Sequence, residues 1–259
     1  SSSLAELGTL STAIGNNEFS NDDGFTSIEV NDTTIDATTL ATTIDTYDSI
    51  NGSGSAITGI TLASGATIEV AASEITHMLA DETANRLYIT DQNIVVTGAI
   101  SVDNANLLSA TTTGTVTASI ATTERVSELK TLTETTNAYT IVISSADASA
   151  TAEDLSTIDG ATTVTIDATE VTAISGTYDQ VTTLYDSTGV DNLGNEAISI
   201  STSDALTVTK ANVIDGLTTG AVTANIATTE SVDSLKTLNG TNNAYTIVIA
   251  SGDATVSAS

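Results

Sequence analysis

Short runs in which apolar residues alternate with Thr or Ser recur along the chain: 26–30 (TSIEV), 67–70 (TIEV), 100–102 (ISV), 115–120 (TVTASI), 139–143 (YTIVI), 162–166 (TTVTI), 197–200 (AISI), 221–226 (AVTANI) and 245–249 (YTIVI). Alternation with period two predicts half-buried strands. Several runs are followed by a small polar segment and then by apolar residues three or four apart, as at Val126, Leu129 and Leu132, or at Leu155 and Ile158 ahead of Gly160. That spacing predicts a short helix or 3-10 turn with Ser, Thr or Asp at its start and Gly near its end. Strands joined through such a turn must run parallel, with right-handed crossovers. Val102 to Ile120 is 18 residues, and Ile120 to Ile143 and Ile143 to Ile166 are 23 each, lengths typical of the coils of stacked repeat proteins. The pattern therefore predicts a mostly β repeat solenoid of stacked parallel strands with a short helical turn per coil. A β-sandwich is the alternative. It would require tight hairpins, yet Asn51-Gly52 and Asn239-Gly240 are the only Asn-Gly pairs.

A longer period overlies the short one. Residues 111–150 return at 218–259, so that Val116, Ile120, Leu129, Leu132 and Tyr139 reappear 106 residues later as Val222, Ile226, Leu235, Leu238 and Tyr245. The opening 4–10 (LAELGTL) is a third copy of 126–132 (VSELKTL) and 232–238 (VDSLKTL). The expectation is one continuous array over 1–259, cut within a repeat at each end and belonging to a longer protein. Two longer connections, 70–99 and 166–197, read either as functional loops or as wider coils with helices of their own.

Composition narrows the partners. The 33 acidic residues outnumber the 5 basic ones, giving a formal charge of −28, and such a chain cannot assemble a surface that neutralises nucleic acid or anionic lipid. No run of 18 apolar residues is present to span a bilayer. Hydrophobic residues still make up 40 % of the chain, enough for a core and too many for a disordered tail. Pro, Cys and Trp are absent. Without Pro, nearly every backbone N–H is free to join a ladder; without Cys, disulfides and thiolate chemistry are excluded.

The phrases in 151–201 (TAEDLSTIDGATTVTIDATEVTAISGTYDQVTTLYDSTGVDNLGNEAISIS) and 137–150 (NAYTIVISSADASA) resemble the degenerate Thr/Ala/Asp-rich repeats of giant secreted and cell-surface proteins of aquatic bacteria. The resemblance covers most of 98–259 and, more loosely, the first hundred residues; it is one of phrase and period. It implies export and an adhesive or surface-coat role. In many such proteins it also implies calcium-binding nonapeptide blocks, but nothing in this chain matches G-G-x-G-x-D-x-U-x, so calcium dependence does not carry over.

Candidate chemistry is sparse. His77 is the only His; aligned on 169–174, its counterpart is Ala173, and it reads as a surface residue rather than a base. Arg86 and Arg125 read as solvated charges. Asp154, Asp159, Asp167 and Glu170 fall within 17 residues and could supply the two carboxylates of a glycosidase, although sugar clefts favour aromatic platforms and the chain offers only Phe19, Phe25 and six Tyr. The 21–24 (NDDG) and 186–192 (DSTGVDN) stretches pair oxygen ligands with a Gly turn and are the candidates for Ca²⁺, and equally ordinary turns. Thr115-x-Thr117, Thr163-x-Thr165 and Thr207-x-Thr209 suggest an ice-binding ladder, interrupted at 100–102, 139–141 and 221–223. The sequence thus points to a non-enzymatic structural or adhesive segment of an extracellular or cell-surface protein. No catalytic, cofactor or metal residue is assigned, and the expected partners are further copies end to end, divalent cations or cell-surface components, with no nucleic acid and no membrane insertion. The alternatives are a carbohydrate-active β-helix enzyme using paired carboxylates and an ice-binding protein.

Overall fold

The computed structural model describes residues 3–15, 28–51 and 59–249. They divide into two compact units that interleave in sequence, one holding 1–121 and 133–139, the other 122–132 and 140–259.

The first unit contains α1 (Leu4–Gly15), β1 (Ile28–Val30), β2 (Thr34–Asp36), α2 (Ala37–Asn51), β3 (Ile60–Leu62), β4 (Thr67–Ala71), α3 (Ile75–Thr83), β5 (Leu87–Tyr88), β6 (Asn93–Ile100), α4 (Val102–Thr111), β7 (Val116–Ile120) and β8 (Ala138–Thr140). Its strands form two sheets, ordered β1-β3-β5 and β2-β4-β6-β7-β8. In β1, Ile28 and Val30 face the core while Glu29 faces out; β3 and β4 alternate in the same way. Between β6 and β7 the register slips: Val95 faces Thr117, but Ala99 faces Ser119. Gly98, at φ 97°, lies in this bulge, where a conformation open to Gly lets the extra residues loop out.

The second unit contains α5 (Val126–Leu129), β9 (Ser149–Thr151), α6 (Ala152–Asp159), β10 (Ile166–Asp167), β11 (Ala173–Gly176), α7 (Tyr178–Asp186), β12 (Val190–Asp191), β13 (Ala197–Ile200), α8 (Val208–Asp215), β14 (Val222–Asn225), α9 (Val232–Leu235) and β15 (Ala244–Thr246). One sheet is ordered β15-β14-β13-β11-β9; β10 and β12 form a second. Ser149 faces Ala173, and Ala173 faces Ala197, a step of 24 residues each time. The helices start where a hydroxyl can cap them: Thr151, Thr177 and Thr207 accept from the N–H groups of Asp154, Gln180 and Lys210. Each then buries apolar residues three or four apart, Leu155 and Ile158 on α6, Val181 and Leu184 on α7, Ala211 and Ile214 on α8.

The expectation of a mostly β solenoid is overturned. The chain is α/β: four sheets with helices between their strands, seven of the nine helices among the described residues spanning eight residues or more, and the strands gathered into separate sheets instead of one continuous stack. The β-sandwich fails too, because every registered pairing among the described strands is parallel. The physical reason lies in the Thr-rich stretches. Thr disfavours helix only by fractions of a kcal/mol, and capping plus an apolar stripe against the sheet outweigh that, so 37–51 (ATTLATTIDTYDSIN) and 178–186 (YDQVTTLYD) are helices. The long connection 166–197 holds β11, α7 and β12, and 70–99 holds α3, β5 and most of β6. The run 100–102 is the end of β6 and the start of α4.

Candidate functional site

The most unusual group in the described structure is a buried carboxylate. Glu196 immediately precedes β13 and is fully buried. Its Oε2 accepts from the Tyr185 hydroxyl at 2.6 Å and from the Gly194 N–H at 2.8 Å, while Oε1 is buried without a hydrogen-bond partner. Tyr185 is delivered by α7, whose inward residues Val181 and Leu184 fix the helix against the core. The Glu196 carbonyl accepts from Thr218 Oγ1 at 2.6 Å. The first unit repeats that last contact with Gln92, whose carbonyl accepts from Thr112 Oγ1 at 2.6 Å. The neutral amide there shows that the fold asks for the loop and not for the charge.

Burial, then the hydrogen bond to Glu196 and the charge of Glu196, push the Tyr185 phenol well above its ordinary range. Burial likewise raises Tyr139, to about 12 from 10.0. Between the unfolded and folded values the unfolded chain gives up its phenolic protons first, so the folded state binds more protons and stability falls as pH rises. Thermal melts should accordingly be flat between neutral pH and about pH 10, the reference value for Tyr, and then decline steeply. Tyr185→Phe should soften that decline. An alkaline limb identical in the variant and the parent would remove Tyr185 from the account.

A second feature is the solvent side of the five-stranded sheet in the second unit. Thr151, Ser175, Ser199 and Thr223 stand opposite one another across successive strands, as do Ser149, Ala173 and Ala197. The inward neighbours Ala150, Ile174, Ile198 and Val222 are buried. Ser149, Ala173, Ser175, Ala197, Ser199 and Thr223 line a shallow hollow of about 270 Å³. Its lining carries no charge, against the strongly acidic composition of the chain. A third feature is an open groove of about 360 Å³ between α6 and α7, lined by Glu153, Ser156, Thr157, Asp179, Gln180 and Thr183; there Gln180 Nε2 donates to Glu153 Oε2 at 2.9 Å.

The residues singled out from sequence are dispersed. His77 lies on α3, a helix, where the alignment had set it against Ala173, a strand residue; its ring nitrogens stand 3.9 Å from Glu74 and from Asp81. Arg86 is no solvated charge, since it pairs with the buried carboxylate of Asp81. Arg125 pairs with Asp147 at 3.3 Å. The four acids proposed as a catalytic pair serve separate local tasks. Asp154 accepts from Lys130 at 3.0 Å, Asp159 accepts from Ser187 Oγ at 2.7 Å, and Glu170 is exposed in a turn. Asp167 accepts from Thr169 and Asn192, whose hydrogen bonds, Thr169 first, hold it below the usual carboxylate range.

That last contact also bears on 186–192. The Asn192 amide donates to Asp167 at 2.9 Å and its backbone sits at φ 67°, a conformation that turn asparagines tolerate. The 21–24 stretch, Phe19 and Phe25 lie outside the described residues. Among the described residues no three or more His, Asp and Glu side chains are grouped to hold a metal ion. The threonine ladder does not assemble, because Thr117 is on β7, Thr163 and Thr165 precede β10, and Thr207 is the N-cap of α8. The Tyr185–Glu196 pair and the Ser/Thr rows were missed from sequence; β9 (SAT) and β11 (AISG) are too short and too small-sided to stand out as strands.

No known protein family, curated protein or solved structure shows a significant match to this chain. No helix among the described residues is long and apolar enough to cross a membrane.

Proposed function

We propose that the chain is a non-enzymatic structural or adhesive segment, working outside the cell or at its surface, and that the uncharged Ser/Thr/Ala face of the second unit is its contact surface. The observation that carries this reading is the hollow lined by Ser149, Ser175, Ser199 and Thr223. Rows of short hydroxyls and methyls at strand spacing, about 4.8 Å, suit a hydroxyl-rich partner such as a polysaccharide. They present donors and acceptors without long side chains to immobilise. The dispersal of Asp154, Asp159, Asp167 and Glu170 among caps and turns supports the non-catalytic part of the reading.

Adsorption to dextran and cellulose films, followed by mass uptake, tests it. The parent chain should be retained at high salt, where charge repulsion is screened, and Ser199→Glu should lose most of that retention without a change in its circular dichroism. Retention unaffected by Ser199→Glu, or hydrolysis of chromogenic glycosides that is abolished by Asp159→Asn, would overturn it.

A further inference from the structure

The two copies of the long repeat build one turn from different residues, 131–137 (TLTETTN) in the earlier copy and 237–243 (TLNGTNN) in the later. Both turns are clasped in the same way. Asn212 on α8 donates from Nδ2 to the Thr237 carbonyl and accepts from the Asn239 N–H, each at 2.8 Å; Asn106 on α4 accepts from the Thr133 N–H at 2.9 Å. At the far end Asn243 Oδ1 accepts from the Val222 N–H, and Asn137 Oδ1 from the Val116 N–H, each at 2.8 Å. The corner residue has a left-handed backbone in both, φ 77° at Gly240 and 66° at Glu134. Its surroundings explain Gly240: a Cβ there would strike Asp215 and Asn243, and the earlier copy has Ser109 where the later has Asp215. Asn239 has no such explanation, since Thr133 fills its place in the clasp. Among the described residues nothing bonds to the Asn239 side-chain amide or to the Gly240 N–H. Both residues are exposed, as are Thr133 and Glu134 in the copy that continues into α6 and β10, so the exposure belongs to the turn itself.

We propose that Asn239-Gly240 is a self-modification site, where water converts the asparagine to aspartate and isoaspartate and thereby opens the clasp. The Gly240 nitrogen gives its proton to solvent and attacks Asn239 Cγ; the bond from Cγ to the amide nitrogen breaks, ammonia leaves, and a succinimide ring remains. Water then opens the ring at one of its two carbonyl carbons. Opening at Cγ gives aspartate, and opening at the main-chain carbonyl gives isoaspartate, whose backbone runs through Cβ and Cγ. The net change replaces NH2 by OH, with no oxidation or reduction. Gly240 has no side chain to hinder the approach of its nitrogen. The Asn243 amide, by contrast, is held by Asp215, to which it donates at 2.6 Å. Isoaspartate inserts one more carbon–carbon bond, about 1.5 Å, into a turn that Asn212 and Asn243 pin at its two ends. Either product also sets a carboxylate beside Gly240, which already abuts Asp215, and the like charges repel. The modification therefore frees the Val222 N–H and loosens the pairing of β14 with β15. The earlier copy, with Thr133-Glu134, has no amide to lose. The inference goes beyond the adhesive reading and does not rest on it.

The whole chain, aged in mildly alkaline buffer made with heavy-oxygen water and then cleaved with trypsin, tests this by mass spectrometry. Cleavage after Lys236 separates this turn from the other Asn-Gly pair, Asn51-Gly52. Asn239 should exchange its amide nitrogen for one heavy oxygen well ahead of Asn242 and Asn243, giving two isomers with isoaspartate in excess, as counted by an isoaspartate methyltransferase. Hydrogen exchange of the aged chain should show most of the protection of the Val222 N–H lost and that of Val116 kept. An Asn239→Thr chain, which carries the residue of the earlier copy, should keep both after the same ageing. The proposal is overturned by an Asn239 that stays intact in the folded chain while the same chain converts it in guanidinium, by earlier conversion at Asn242 or Asn243, or by a fully converted chain in which Val222 remains protected.

Discussion

Tyr139→Ala should cost about 3–5 kcal/mol, the range for emptying a buried aromatic site, and its repeat mate Tyr245→Ala about 1–2 kcal/mol, an ordinary value for a partly exposed residue. Tyr139 is the largest fully buried side chain of the described structure, and its hydroxyl donates to the Ala105 carbonyl at 3.3 Å. Truncation leaves both a void in close-packed surroundings and a carbonyl short of one donor. Tyr245 is half-buried and its hydroxyl accepts from Asn243 Nδ2 at 3.0 Å, so water can fill the place it leaves. Urea unfolding followed by circular dichroism reads both, as a shift in midpoint at constant slope. Equal losses at the two positions would mean that Tyr139 is not the core residue described.

Gly220→Ala and Gly114→Ala should each destabilise by about 3 kcal/mol or more, at the upper end for overpacking. Neither glycine adopts a left-handed conformation; what excludes a side chain is the backbone of another loop. A Cβ at Gly220 would strike the carbonyl of Glu196 and the N of Ala197, and one at Gly114 would strike the carbonyl of Gln92 and the N of Asn93. Those carbonyls cannot easily retreat, since Thr218 and Thr112 hold them by their hydroxyls. Gly160→Ala is the control. There the nearest atoms lie at 3.5 and 3.6 Å, and removing glycine's freedom in the unfolded chain should make the change neutral or stabilising by up to about 1 kcal/mol. Three variants with the same small effect would contradict the close loop contact.

Much of the local pattern was legible in the sequence and the class of fold was not. Alternation in 197–200 and 221–226 falls on β13 and β14, and the spacing of Leu155 and Ile158 falls on α6. Those signals come from residues that bury one face, and burial with a fixed period is what a sequence shows. The helices α2 and α7 were hidden because Thr at positions 38, 39, 42, 43, 182 and 183 carries a strand preference. The decisive contributions, a cap at Thr177 and packing of Val181 and Leu184, are only recognisable once the sheet beneath them is placed. Glu196 was illegible for a different reason. It follows Gly194-Asn195, an ordinary turn sequence, and its partner Tyr185 is eleven residues away on the far side of β12. A carboxylate announces its surroundings only when its partners are adjacent in sequence or carry opposite charge, and a phenol does neither. The pairing of Arg86 with Asp81 was nearer to hand, five positions apart across the end of α3.

The 24-residue step that carries Ser149 to Ala173 and Ala173 to Ala197 governs how a gene for this chain can change length. Adding or deleting a whole step leaves every remaining residue on the face it already occupies. Adding a single residue within a strand turns its inward Ile and Ala outward and its Ser outward-facing row into the core. Length variants of this chain that keep the fold should therefore differ by whole steps, or by residues confined to the loops between strand and helix.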